Sequence, residues 1–517
     1  MIRLTSYLRG AWWSGQDEGQ TLVNPATEVA LATCSTAGLD LGAALDWGRT
    51  VGGPALRALT FAQRGALLKA MARTLHEARE ELLDLSCDNN GTTRGDGKFD
   101  IDGATGTLSA YARLGATLGE RTFLLDGEAE KLGGGARYVG QHVFLPRPGV
   151  AVHINAFNFP GWGAFEKIAV ALLAGVPVLC KPATATALTT WRMFQLIDDA
   201  RILPPGALQL LCGPAGDLLD HLGAQDLIAF TGSADTGATL RGSAAVVQRS
   251  TRLTIEADSL NSAVIAPDVE LGGEVWHTAL RNLRTDIVQK TGQKCTAVRR
   301  IFVPEALADA LSEALVEELG RVTVGLPSLT EVGMGPVATR SQLRDVRAGI
   351  AQLRGEAELL CGGADPIDGA GVNAGVGYFV RPTLLRADAA KANLVHQHEV
   401  FGPCATLIPY SGAADEAAAL VARGQGSLVS SVYGSDRDWL WSMLQGAAPW
   451  NGRVVIASDK VADQVLPPGM VLPTQVHGGP GRAGGGEELG GQRGLAFYSN
   501  RVAIQGDKGE LRKMLGE

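Results

Sequence analysis

The sequence predicts an α/β protein whose core contains a parallel β-sheet. From about residue 150 onward, short apolar segments alternate with amphipathic ones, the pattern of parallel strands joined by helices. The 517 residues are 45 % hydrophobic and 19 % charged, which suits two or three structural units with large cores and excludes a disordered chain. Sixty-seven glycines indicate many tight turns.

Charge and cysteine usage exclude several function classes. The net charge is −8 with no long run of either sign, so we expect no nucleic-acid partner. The longest apolar stretch, residues 168–180, is too short for a membrane span, and we expect no membrane partner and no signal peptide. The seven cysteines form no CxxC pair, which predicts free thiols, no metal site and a cytoplasmic location.

The first half of the chain predicts one long helix followed by alternating elements. Leucines at helical spacing predict a helix over residues 62–86, ended by Asn89-Asn90-Gly91. Predicted strands follow over residues 150–154, 178–180, 208–211, 227–230 and 253–255. Predicted helices between them cover residues 164–173, 187–200, 217–222 and 234–240.

A second alternating block follows. Its predicted strands cover residues 262–265, 299–303 and 358–360. Its predicted helices cover residues 276–289, 305–319 and 340–353. Because ligands bind at the carboxyl ends of parallel strands, functional residues are expected directly after these strands.

Cys295 is the candidate nucleophile. It follows a predicted helix in the short polar segment Thr291-Gly292-Gln293-Lys294-Cys295-Thr296. A reactive thiol needs to be reachable, near backbone N–H donors and near a positive charge that favours thiolate. A buried structural cysteine is the commoner role, and most of the other cysteines, in apolar runs, fit it.

Glu256 and Asn158 each follow a predicted strand. At the ligand side of a sheet, partial burial is expected to raise the pKa of Glu256 toward the range of a general base. Asp258 is a competitor for this role, and a solvated loop acid is the ordinary interpretation. The amide of Asn158 can donate to an oxyanion, although a turn asparagine before Pro160 explains it equally simply.

Two segments are suited to phosphate groups. Lys181 closes a predicted strand, where its ammonium could meet a phosphate or ribose hydroxyls. Gly232 and Ser233 join a strand to a helix and would place donors at the positive helix N-terminus. The GxGxxG and Walker patterns are absent from this segment, so the signal is weak by mechanism alone.

Together, in this order, the motifs resemble those of the aldehyde dehydrogenase superfamily. The matching segments are Asn158-Phe159-Pro160, Lys181-Pro182-Ala183, Phe230-Thr231-Gly232-Ser233, Glu256, Gly292-Gln293-x-Cys295 and Glu399-Val400-Phe401-Gly402-Pro403. The resemblance implies the aldehyde dehydrogenase fold: a Rossmann-like cofactor domain, an α/β catalytic domain and a small β bridging piece used in oligomerisation. The cofactor domain would comprise residues 1–128 and 149–258, the catalytic domain 259–480, and the bridging piece 129–148 with 484–517.

The resemblance also implies a mechanism. The Cys295 thiolate attacks the aldehyde carbon, and the Asn158 amide with the Cys295 backbone N–H holds the oxyanion. Hydride leaves to the nicotinamide, giving a thioester that Glu256 hydrolyses through an activated water. Lys167 matches a family lysine near the proton exit path, although a surface lysine is an equally good interpretation. Glu166 occupies a position where many relatives have an aromatic residue lining the substrate tunnel, so its carboxylate argues against a purely apolar small aldehyde.

Further positions match the family's cofactor contacts. The implied contacts are Ile154, Phe157, Lys181, Ala183, Thr184, Gly213, Phe230, Gly232, Ser233, Glu399 and Phe401. NAD-preferring members often have Glu where this chain has Thr184. Removing that carboxylate removes repulsion against a 2′-phosphate, so we expect NADP to be preferred and NAD to be used more weakly.

Two departures indicate the substrate. Ala257-Asp258-Ser259 after Glu256, and the tail from His477 to Glu488, resemble the branch that acts on CoA-linked semialdehydes in aerobic aromatic (benzoate) degradation. The alternatives are an acylating, CoA-transferring dehydrogenase, which usually lacks the general-base Glu, and a catalytically silent binding or structural protein. The resemblance implies a homo-oligomer, a dimer more than a tetramer.

Overall fold

The computed structural model describes residues 1–516 and contains two seven-stranded sheets. The strands of the first sheet, in spatial order, are Arg252–Glu256, Leu227–Thr231, Ala151–Ile154, Val178–Lys181, Leu208–Leu210, Ser6–Leu8 and Ala11–Trp13. Those of the second are Ala357–Cys361, Thr383–Ala387, Cys404–Tyr410, Arg300–Pro304, Ser262–Ile265, Ser427–Tyr433 and Asn451–Ala457. The predicted α/β class with parallel sheets is confirmed.

The longer helices are distributed along the whole described chain. In chain order they are Phe61–Glu77, Arg79–Asn90, Arg94–Leu118, Trp162–Ala174, Ala187–Asp199, Ala234–Arg241, Glu274–Val288, Glu305–Gly320, Arg340–Leu353, Ala414–Ala422, Arg437–Ala447 and Lys508–Leu515. Short helices cover Leu41–Trp47, Gly53–Arg57 and Ala244–Val247. The predicted helix over 217–222 is a short 3₁₀ turn, Leu218–His221.

Smaller sheets complete the chain. Leu124–Lys131, Tyr138–Pro146 and Ser499–Asp507 form a three-stranded antiparallel sheet, with Tyr138–Pro146 in the middle. Another joins Ile2–Leu4, Ala30–Cys34 and Gln20–Val23, and Val476–Gly478 pairs with Glu487–Leu489. The domain limits drawn from the sequence stay a prediction.

The first sheet brings strand ends together as the sequence predicts. Five adjacent strands, from the edge strand Arg252–Glu256 to Leu208–Leu210, are parallel, with Ile154 opposite Lys181 and Thr231 opposite Glu256. Side chains at these carboxyl ends therefore share one edge of the sheet. Behind them, the strands pack on apolar helices such as Trp162–Ala174, which is buried along its whole length.

The long helix predicted over residues 62–86 is wrong in one respect. The structure has two helices, which meet at Ala78. Neither glycine nor proline marks the break, so the sequence gives no signal for it. The turn lets Leu75 of the first helix and Leu82 of the second reach the same hydrophobic core.

The helix Arg94–Leu118, here called the channel helix, was not predicted. It contains five glycines, at positions 95, 97, 103, 106 and 115, and each weakens a helix by about 1 kcal/mol relative to alanine. Tertiary packing overrides this cost at Gly115, where a Cβ atom would lie 2.7 Å from the Phe61 carbonyl oxygen.

Within residues 1–516, none of the helices is apolar enough over a sufficient length to cross a membrane.

Candidate active site

Two cavities meet at Cys295. The first, here called the cleft, has a volume of about 680 Å³ and lies at the carboxyl ends of the first sheet. The second, here called the channel, has a volume of about 610 Å³ and lies between the channel helix and residues 469–474. Cys295 lines both, so its sulfur is placed between two separate binding spaces.

A strained segment positions this cysteine. Lys290, Thr291 and Gly292 have consecutive positive φ angles of 52°, 56° and 65°. A Cβ atom on Gly292 would lie 2.2 Å from the Gly402 carbonyl oxygen, so only glycine fits. Backbone strain of this kind persists where the surrounding structure enforces it, and here it turns the chain toward Cys295.

Side-chain hydrogen bonds to its backbone carbonyls hold this segment in place. The Asn261 amide donates to the Cys295 carbonyl at 2.7 Å, and the Arg299 guanidinium donates to the Gly292 carbonyl at 3.0 Å. The neighbouring Lys294 is directed away from the sulfur, because its ammonium pairs with Asp286 at 2.8 Å. The positive charge expected beside the thiol therefore does not come from Lys294.

Asn158 and Glu256 both reach the same pocket. Asn158 is buried, lines the cleft beside Cys295, and donates one amide hydrogen to the Gln293 carbonyl at 3.0 Å. Its second amide hydrogen is not used by that bond. Glu256 is also buried, whereas its competitor Asp258 pairs with Arg482 at 3.0 Å. The structure thus favours Glu256 over Asp258 as the base.

His477 also belongs to the site, although its sequence context predicts no role for it. Its Nε2 atom lies 2.9 Å from Glu256 Oε1 and 3.9 Å from Cys295 Sγ. Burial alone would raise the pKa of Glu256, but the charge of His477 and the hydrogen bond to it hold that pKa at about 2. Burial likewise opposes the charged form of His477, yet Glu256 raises its pKa overall.

The sulfur has an unfavourable electrostatic environment. Burial and the carboxylates around it, Glu256 first, raise the pKa of Cys295 well above its ordinary value. The thiolate that the chemistry needs is therefore costly to form in the protein alone. Any cation in contact with the sulfur has a direct effect on reactivity.

Lys167 is buried, so the interpretation of it as a surface lysine is wrong. Its ammonium lies 2.7 Å from Glu166 Oε1 and 3.1 Å from Glu488 Oε2. Burial raises the pKa of Glu166 to about 8, against the effect of Lys167. Oxygen atoms of Glu166, Glu256 and Glu488 lie within 4.8 Å of one another, which connects this cluster to Glu256.

Glu166 corrects another expectation. Its carboxyl group contacts Lys167 and is not among the groups that line the channel. The channel wall instead comes from Phe159, Trp162 and the channel helix. The carboxylate acts inside the protein and gives no information on the substrate.

Most of the predicted cofactor contacts line the cleft. These are Phe157, Lys181, Ala183, Phe230, Gly232, Ser233, Glu399 and Phe401. Ile154, Thr184 and Gly213 are not part of the cleft wall. Ile154 ends its strand, and Thr184 follows directly on Ala183.

The side chains of the cleft fit a dinucleotide. Lys181 donates only to the neighbouring Pro182 carbonyl, at 3.1 Å, so its ammonium keeps hydrogens for a ribose or phosphate. Ser233 caps the helix Ala234–Arg241 and thus aligns the helix start with the cleft. Glu399 offers carboxyl oxygens, and burial raises its pKa to about 8 although Arg299 opposes this.

Comparison with known proteins agrees with this geometry. The model of the aldehyde dehydrogenase family matches residues 12–503. The chain belongs to the aldehyde dehydrogenase family. It is an NAD(P)-dependent aldehyde dehydrogenase, which confirms the resemblance read from the motifs.

Curated relatives include dehydrogenases named for different aldehydes. A 3,4-dehydroadipyl-CoA semialdehyde dehydrogenase of Aromatoleum evansii is 45 % identical over 480 residues, 93 % of each chain. A chloroplastic betaine aldehyde dehydrogenase of Amaranthus hypochondriacus is 28 % identical over 502 residues, 94 % of this chain and 92 % of the other.

Solved aldehyde dehydrogenases share the fold. A 3,6-anhydro-L-galactose dehydrogenase in complex with NAP superposes with a TM-score of 0.84 at 21 % identity, covering 97 % of this chain and 99 % of the other. A putative aldehyde dehydrogenase from Burkholderia cenocepacia gives 0.83 at 25 % identity, covering 98 % of each chain. The predicted aldehyde dehydrogenase fold is confirmed.

Proposed function

We propose that this enzyme oxidises a CoA-linked semialdehyde, 3,4-dehydroadipyl-CoA semialdehyde, to its carboxylic acid with NADP, in aerobic benzoate degradation. The observation that supports this most directly is that Cys295 lines both the cleft and the channel. An aldehyde that enters by the channel reaches the sulfur from one side, while the cleft offers a cofactor site on the other.

The first step is attack by Cys295 on the aldehyde carbon. The sulfur adds to the carbonyl and gives a tetrahedral thiohemiacetal. The free amide hydrogen of Asn158 and the Cys295 backbone N–H stabilise its oxyanion, and each such donor contributes about 3 kcal/mol to lowering the barrier. NAD(P), when bound, supplies the hydride acceptor, and a thioester on Cys295 remains.

Glu256 then serves the hydrolysis. Its carboxylate, held by Thr231 at 3.2 Å and by His477 at 2.9 Å, takes a proton from the attacking water. The cluster of Lys167, Glu166 and Glu488 gives this proton a path away from the sulfur. An acylating enzyme that passes the thioester to CoA does not need this base, so Glu256 favours hydrolysis.

The channel supports a large, anionic substrate. Gly103 and Gly106 of the channel helix present no side chains to it. A Cβ atom on Gly106 would have no protein atom within 4 Å, so packing does not require glycine at this position. Lys98 and Arg113 line the same channel from exposed positions and suit the phosphates of CoA.

The preference for NADP rests on Thr184 and Lys181. Lys181 ends the strand Val178–Lys181 and lines the cleft, and Thr184 begins the short turn that follows Ala183. The ammonium attracts a 2′-phosphate, and a threonine in place of a carboxylate removes repulsion. We further propose a homodimer, because the edge strand Ser499–Asp507 exposes its backbone and Val502 to a second copy. The free cysteines support a cytoplasmic location.

A substrate panel tests the proposal. The rates kcat/KM are measured for the CoA-linked semialdehyde, for its free-acid analogue without CoA and for propanal, each with NADP and NAD. We expect the highest value for the CoA-linked substrate with NADP. Equal values with and without CoA would refute the substrate, and release of an acyl-CoA in place of an acid would favour the acylating alternative.

A further inference from the structure

One side chain touches both reacting groups of the site. His477 lies on the short strand Val476–Gly478 and is 3 % exposed. The same nitrogen, Nε2, lies 2.9 Å from Glu256 Oε1 and 3.9 Å from Cys295 Sγ. The edge of Trp162 packs against the ring with centroids 5.7 Å apart, which fixes its orientation.

The charges around the ring explain why this contact matters. The titratable groups that face His477 are Glu256, Cys295, Glu166, Lys167 and Glu488. Three of them are carboxyl groups and one is an ammonium, so a thiolate adds another anion to an acidic, buried site. Lys167 is already shared between two carboxyl groups, and Lys294 pairs with Asp286. Arg453 also interacts with the charge of Cys295, but its guanidinium donates to the backbone carbonyls of Pro468 and Met470.

We propose that His477 is a positioning residue whose imidazolium stabilises the Cys295 thiolate and holds the Glu256 carboxylate ready for hydrolysis. The nitrogen between the two groups donates its hydrogen to Glu256 in the structure, and its positive charge lies close to the sulfur. No proton has to leave the ring for either effect. The inference rests on the proposed roles of Cys295 and Glu256.

The two effects predict different behaviour of two variants. His477→Phe keeps a ring against Trp162 but removes both the donor and the charge. His477→Gln keeps a donor for Glu256 and removes only the charge. A residue that merely fills space would lower stability in both variants without changing the chemistry of the sulfur.

The test is the rate of Cys295 alkylation by iodoacetamide as a function of pH, with the labelled peptide quantified by mass spectrometry. We expect His477→Phe to slow labelling at pH 6.5 at least tenfold, because the raised pKa of His477 keeps the ring charged there, and to move the profile upward by about one pH unit. His477→Gln should show the same shift but regain the steady-state rate that follows the NADPH burst. His277→Phe, at an exposed position of the helix Glu274–Val288, should match the wild type.

The failures are distinguishable. A labelling profile for His477→Phe that superimposes on the wild type would overturn the inference, as would a wild-type profile for His477→Gln. Aldehyde oxidation that persists in Cys295→Ala would instead overturn the proposed function itself.

Discussion

Lys167 forms a buried ion pair with Glu488, with Nζ 3.1 Å from Oε2. The two residues are far apart in sequence, on the helix Trp162–Ala174 and the strand Glu487–Leu489. Both are buried, and Glu166 on the same helix as Lys167 shares its ammonium at 2.7 Å. The pair links the back of the active site to Glu256, whose oxygens lie within 4.8 Å of those of Glu488.

Replacing Lys167 should impair hydrolysis more than acylation. In Lys167→Met, the proton taken by Glu256 loses its path, so we expect the steady-state rate to fall about tenfold or more while the NADPH burst persists. Stopped-flow absorbance at 340 nm separates the two phases. Breaking a buried pair also costs about 3–5 kcal/mol, so the double variant Lys167→Met/Glu488→Gln serves as the stability control. An equal loss of burst amplitude and steady-state rate would contradict the proposed proton path through Lys167.

The ion pair of Glu256 and His477 should make stability depend on pH. The pKa of Glu256 falls from 4.5 to about 2 on folding, so its contribution is present above pH 4.5 and is lost as pH falls toward 2. The pKa of His477 is raised above 6.5, so its contribution is present below pH 6.5 and is lost as pH rises through the folded value. The free energy of unfolding of the wild type should therefore exceed that of Glu256→Gln by the largest amount between pH 4.5 and the folded-state pKa of His477. Denaturant unfolding of both proteins across pH measures this, and a constant difference would contradict the pair.

Filling the channel should alter specificity without harming the fold. Gly106→Leu places a side chain where no protein atom lies within 4 Å, and leucine favours a helix over glycine by close to 1 kcal/mol. We expect kcat/KM for the CoA-linked semialdehyde to fall at least tenfold, with propanal nearly unaffected and the free energy of unfolding not decreased. Gly320→Leu, at an exposed helix position with equal space, is the matched control. Unchanged turnover of the CoA-linked substrate would show that the substrate does not pass this helix face.

The cofactor preference should reverse with one carboxylate. In Thr184→Glu, repulsion against a 2′-phosphate should lower kcat/KM with NADP about tenfold or more, and the new carboxylate can accept bonds from both ribose hydroxyls of NAD. The ratio of the two values, measured with one aldehyde, is the readout. Thr186→Glu is unsuitable as a control because Thr186 is buried, so Thr184→Ser, which keeps the hydroxyl, is used. A ratio that Thr184→Glu leaves unchanged would mean that this position does not contact the adenosine ribose.

Much of the fold follows from local pattern. The parallel strands around Glu256 are short and apolar, and their alternation with helices predicts the sheet and its ligand edge. The channel helix was missed because its glycines disfavour a helix locally, and only tertiary contacts such as that of Gly115 with Phe61 compensate. The break at Ala78 leaves no mark in the sequence, because neither glycine nor proline stands there.

The site was predicted in part. Cys295, Glu256 and Asn158 each follow an element that ends at the ligand edge, so the sequence places them together. His477 and Glu488 come from a glycine-rich tail with no strand pattern of its own, and nothing local shows that this tail folds back to the sulfur. A histidine and a glutamate amid glycines, at the end of a chain with a candidate thiol, were the available signal.

The central claim is that Cys295 bonds covalently to the substrate and that Glu256 releases it. The most direct measurement mixes Glu256→Gln with the aldehyde and NADP and follows NADPH together with the intact protein mass. The account predicts one NADPH per subunit, then a stop, with a mass increase equal to the acyl group and located on Cys295. Continued turnover without an adduct, or an adduct on another residue, would contradict it.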